Sequence, residues 1–169
     1  MYHMEFTIFD IVKLLKIKRS SLKQWIERGF IRPSIQEADG KGTKNLFSVD
    51  DLYKIVLFEK LHFFGLAQKI AAKYADEVDF SQVNASRIKF MFLFVVTGHG
   101  RFFGQFFLND NVENQYTKTY SYEYRLIGNL SELNEVFNEK TLSMGAVIIN
   151  LLEIKRTVNA LVLKHQKNL

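Results

Sequence analysis

The chain has 169 residues, is 47% apolar with 16 Phe, and carries a formal charge of +5. That leaves room for one large or two small packed domains and excludes wholesale disorder. It contains no Cys, which excludes disulfides and thiolate metal sites and fits a reducing compartment; with no leader pattern and no uncharged run of membrane length, a cytoplasmic protein without a membrane partner is expected.

The charge is concentrated in one half. Residues 1–75 hold thirteen Lys or Arg against eight Asp or Glu, whereas residues 76–169 hold ten of each. Between Ile11 and Ile35 seven side chains are basic (Lys13, Lys16, Lys18, Arg19, Lys23, Arg28 and Arg32) and only Glu27 is acidic.

In chain order, Thr7 and Asp10 stand at capping-box spacing and predict a helix from about Ile8. Ile8, Ile11, Val12 and Leu15 recur at helical intervals as its buried stripe. After Ile17 a second helix is predicted, with Leu22, Trp25 and Ile26 inward and Arg19, Ser20, Lys23 and Gln24 outward. Gly29 is the expected left-handed stop, and Pro33 prevents resumption. Residues 38–47 form a Gly-punctuated basic hairpin around Gly40 and Gly42. Ser48 and Asp51 make another capping box, opening a third helix through Leu61 that Gly65 breaks. A fourth helix from Leu66 to about Val78 turns Ile70 and Tyr74 inward.

Helix, tight turn, helix is the geometry in which the second helix offers its N-terminal residues to the major groove of a duplex. Its cationic outer face suits such a groove. The candidate contact residues are Lys18, Arg19, Ser20, Ser21, Lys23, Gln24 and Arg28 on the helix, with Lys41, Thr43, Lys44 and Asn45 on the hairpin.

The order of these motifs resembles the MerR-type winged helix-turn-helix family over roughly residues 4–75. The resemblance rests on Phe6-Thr7-Ile8, on Ser21-Leu22-Lys23-Gln24-Trp25, on Gly29-Phe30-Ile31-Arg32-Pro33, and on the exit Phe47-Ser48-Val49-Asp50-Asp51-Leu52. Gly65-Leu66 and Ile70 match the helix that follows. Lys18 stands where the family usually has a capping hydroxyl, so the second helix is expected to lean on a neighbour such as Ser20. The resemblance implies a homodimer that binds double-stranded operator DNA through recognition helices and wings, with the remainder of the chain sensing a signal or joining subunits.

In that remainder, Ile88–Val96 reads as a strand covered on both faces. Residues 97–100 read as a turn, 101–108 as a second strand, 110–115 as a polar loop, and 118–127 as a third strand. Asn129 to Glu132 caps a short helix. A long helix is predicted over 143–167, its seam formed by Met144, Val147, Leu151, Ile154, Val158 and Leu161. Two fates stay open for that seam: covering its own sheet, or pairing with a second copy. Two readings also stay open for the sheet aromatics: plain core, or a site for an apolar small-molecule effector.

The expected fold is α+β. A winged helix-turn-helix four-helix module over 1–80 precedes an antiparallel three-stranded sheet with a long C-terminal helix over 81–169. The four His are scattered and no nucleophile–base pair stands out, so neither a metal set, a cofactor nor catalysis is expected. The function expected is a sequence-specific transcriptional regulator. Its rivals are a DNA-bending, excisionase-like accessory protein and a protein-interaction adaptor with a vestigial module.

Overall fold

The computed structural model describes residues 4–40, 42–96, 121–129, 131–132 and 143–167. Its class is α+β: helices with a three-stranded antiparallel sheet and a C-terminal helix. The chain divides into two compact units. The first comprises Met1–His62, Ala67–Phe80 and Glu153–Leu169, and the second Phe63–Leu66 and Ser81–Leu152.

In the first unit, α1 (Ile8–Leu15) begins on a complete capping box. Asp10 N–H donates to Thr7 Oγ1, and Thr7 N–H donates to Asp10 Oδ2 at 2.9 Å. These bonds satisfy amides that a helix start leaves unpaired. The helix buries Ile11 and Leu14, while Ile8, Val12 and Leu15 are only half-buried, so the stripe lies one residue away from the expected one at its end. It stops where Lys16 turns left-handed at φ 57°, and buried Ile17 leads into α2 (Arg19–Glu27).

The end of α2 is a double cap on Gly29, at φ 71°. Gly29 N–H donates to Ile26 C=O at 2.9 Å, and Phe30 N–H donates to Trp25 C=O at 2.8 Å. A left-handed residue lets both amides fold back onto the last carbonyls, and glycine adopts it without a Cβ penalty. Leu22 is fully buried and Trp25 nearly so, whereas Ile26 is half-buried. The Trp25 ring meets Phe58 edge-on, with centroids 4.9 Å apart.

The chain then makes a narrow hairpin. Gln36 and Leu46 exchange backbone hydrogen bonds, and Phe47 pairs with Phe6 just ahead of α1, at 2.9 Å in both directions. α3 (Val49–Phe63) opens on the Ser48–Asp51 box and ends before Gly65, which sits at φ 95°. In α4 (Gln68–Glu77) Ile70 and Tyr74 are only half-buried. Its buried residues are Ala71, Ala72 and Ala75, small side chains that bring a helix backbone close to its neighbours.

The second unit holds β1 (Phe90–Val96), β2 (Ser121–Ile127) and β3 (Ser143–Asn150) in the antiparallel order β2-β1-β3. The continuously apolar β1 is the central strand, pairing Phe90 with Ile127 on one side and with Asn150 on the other. The turn expected at 97–100, the strand at 101–108 and the loop at 110–115 lie outside the described residues. Asn129 Oδ1 accepts from the Ser131 and Glu132 amides, the expected cap, and the body of its helix also lies outside them.

The helix predicted over 143–167 is corrected. Residues 143–150 are β3, and the helix, α5, is Leu151–Gln166. Val147, Ile148 and Ile149 are a β-branched run that loses side-chain freedom in a helix and fits a pleated surface; pairing with β1 decides the matter. From Glu153 onward α5 belongs to the first unit, not to a domain spanning 81–169. Leu151, Ile154, Val158 and Val162 are its buried side chains, and Leu161 is half-buried. Lys155 Nζ donates to Phe80 C=O at 2.7 Å, Tyr53 Oη donates to Asn159 Oδ1, and His165 Nε2 lies 3.9 Å from Asp10 Oδ1. Ile154, Val158 and Val162 are thus buried residues of the first unit, a third fate besides the two considered for the stripe.

Gly128 leaves no room for a side chain, because a Cβ there would lie 2.5 Å from the Arg87 carbonyl oxygen. Gly128→Ala is expected to cost about 1–3 kcal/mol, measured as a lower midpoint in urea. Acid stability is set in part by Asp10. Burial raises its carboxyl, but the Thr7 hydrogen bonds and the nearby His165 and Lys13 charges hold it below its ordinary value of 3.8. Its contribution is complete above that value and is lost as pH falls through the lower folded value. Asp10→Asn should flatten the acid limb of a plot of unfolding midpoint against pH.

Candidate nucleic-acid interface

α2 is amphipathic along its whole length. Leu22 and Trp25 fix its roll by burial, which leaves Arg19, Ser20, Lys23, Gln24 and Glu27 exposed on the opposite arc. Ser21 is half-buried at the margin of that arc. Lys18 is the N-cap residue, exposed and extended, and no side chain caps the helix, so the help expected from Ser20 is not given. The first amides of α2 thus lack a side-chain acceptor beside two cations, an electrostatic setting that favours anions. Arg28 closes the helix and reaches Gln68 Oε1 at 3.4 Å, which directs its guanidinium towards α4.

The hairpin has duties of its own. Asn45 is half-buried, and its Oδ1 accepts the Ala38 amide at 2.7 Å, pinning the neck of the loop. Thr43 Oγ1 donates to Gly40 C=O at 3.0 Å across the tip. Gly40 and Gly42 take φ 86° and 98°, with open space where a Cβ would stand. Lys44 is exposed, and Lys41 lies outside the described residues. Among the hairpin candidates, Asn45 is therefore a structural residue, and Thr43 is engaged within the loop.

One residue that sequence patterning treated only as a cap does more. Asp51 is 5% exposed, and its Oδ2 accepts from Ser48 N–H at 2.8 Å, Ser34 N–H at 3.0 Å and Ser34 Oγ at 2.7 Å. It holds the start of the hairpin, just past Pro33, against the first turn of α3. Ser34 lies 17 positions away, and nothing local in the sequence marks that partnership.

Between the end of α2 and the hairpin lies a cleft of about 420 Å³ lined by Glu27, Gly29, Arg32, Glu37 and Asn45, among others. Arg32 is a basic residue that patterning counted but did not place among the contacts. A second cleft, of about 390 Å³, gathers Asp50, Asp51, Asp76, Glu77 and Asp79 around Lys54, which meets Asp76 at 3.4 Å. That acidic surface repels a polyanion, so it and the α2 arc have opposite electrostatic preferences. Among the described residues no group of three or more His, Cys, Asp or Glu is placed to hold a metal ion, and no helix is long and apolar enough to cross a membrane.

Asp51→Ala removes the acceptor of three hydrogen bonds and leaves the Ser34 and Ser48 amides without it. A loss of about 1–3 kcal/mol is expected, read by denaturant titration, with faster amide exchange at Ser34 and Ser48. No protein-family model matches the chain, and no curated protein matches it.

Proposed function

We propose that this chain is a sequence-specific DNA-binding transcriptional regulator of the winged helix-turn-helix type, cytoplasmic and associated with the nucleoid. The observation that carries the reading is the outward arc of α2. Lys18, Arg19 and Lys23 are exposed there on a short helix whose roll is set by Leu22 and Trp25. An α-helix with one exposed arc fits the major groove, and its cations release counterions from phosphate wherever they dock. Three further features support it. A three-residue turn joins α1 to α2, a hairpin bearing Lys44 follows at a wing's position, and Asp51 fastens that hairpin to α3.

In this reading the sheet-bearing unit takes the sensing or subunit-joining role. A twofold assembly on a palindromic operator needs a surface other than the buried stripe of α5, which the chain covers itself.

Gel retardation on a random-sequence duplex pool at two salt concentrations tests the reading. Arg19→Ala and Lys23→Ala should each weaken binding about tenfold and reduce the slope of log affinity against log salt by about one. Because both side chains are exposed, neither change should shift the melting temperature. Absence of retardation in dilute buffer for every duplex would overturn the reading. Inverted repeats among the retained sequences would report twofold assembly.

A further inference from the structure

The outward arc of α2 is not chemically uniform. Arg19 and Lys23 are cations one helical turn apart, while Ser20 and Gln24 are neutral and also one turn apart. Residues at i and i+4 stack into rows, so a cationic row and a neutral row run side by side along the helix. All four side chains are exposed, and none makes a hydrogen bond or ion pair among the described residues. The rows cannot exchange places by rotation, since Leu22 is fully buried and Trp25 is wedged edge-on against Phe58.

We propose that the two rows divide the work on a duplex: Arg19 and Lys23 hold a phosphate strand, while Gln24, with Ser20 a turn before it, reads base edges and selects adenine. This rests on the DNA-binding reading above and names the residue that gives it sequence preference. A cation gains from any phosphate whatever the sequence, so the Arg19–Lys23 row positions the helix without discriminating. The Gln24 amide has one acceptor oxygen and one donor nitrogen side by side. In the major groove adenine offers N6 as donor and N7 as acceptor, matching both. Guanine presents two acceptors there, thymine an acceptor with a methyl group, and cytosine a single donor, so each leaves one half of the amide without a partner. Gln24 also lies within the first two turns of α2, the part of such a helix that meets bases.

The test is sequence selection from a random duplex pool, run in parallel on the wild-type chain and on Gln24→Ala, Gln24→Arg and Lys23→Ala variants. The wild type should return a motif containing an adenine. Discrimination at that pair should fall about 10- to 100-fold in Gln24→Ala and shift towards guanine in Gln24→Arg. Lys23→Ala should bind all sequences more weakly and return the same motif. An adenine preference retained in either Gln24 variant, or wild-type binding with no motif, overturns the division of work and leaves duplex binding standing. Failure of the wild type to bind any duplex overturns the DNA-binding reading itself.

Discussion

Trp25 packed against Phe58 is the contact on which the arrangement of the first unit turns. Its ring, 6% exposed, sits edge-on to Phe58, and Phe30 stacks on the same Phe58 with centroids 6.3 Å apart. Edge-to-face packing matches the positive ring edge to the negative ring face and has a preferred geometry, unlike simple aliphatic contact. The contact ties α2 and the residue after its glycine stop to the middle of α3. With that side fixed, every third or fourth residue on the far side is committed to solvent. The polarity of the outer arc is thus a consequence of where one indole goes.

Polar contacts complete what the aromatic packing begins. Asp51 joins three amide or hydroxyl donors from two segments, and Asn45 closes the neck of the hairpin. Three of these bonds, from the Ser34, Ser48 and Ala38 amides, satisfy backbone groups that a tight turn would otherwise leave unpaired. The hairpin is consequently held at its base by a buried carboxylate and at its neck by an amide. At its tip Gly40 and Gly42 take left-handed φ, and Thr43 Oγ1 donates to Gly40 C=O.

Local chemistry was legible in the sequence, and long-range pairing was not. Thr7 with Asp10, Ser48 with Asp51, Gly29 and Gly65 marked helix ends that the structure places at or next to those residues, because caps act over three or four positions. Residues 143–150 misled because Met144, Val147 and Leu151 fit a helical seam while Val147, Ile149 and Leu151 fit strand alternation equally well. Only the partner strand β1 resolves that ambiguity. On α4 the large Ile70 and Tyr74 are half-buried, and the small alanines lie deeper. Of the candidate contact residues, those on the outer arc of α2 are exposed as expected, whereas Asn45 and Thr43 have partners within the loop that no local pattern announces.

The place of α5 has a consequence for biosynthesis. Ile154, Val158 and Val162 are buried residues of the same compact unit as the early helices, and the ribosome adds them about a hundred residues later at roughly 5–20 residues per second. For several seconds of translation the first unit is therefore without its last helix. The first unit is complete only once residues 153–167 have been made, so its assembly couples stretches far apart in the sequence.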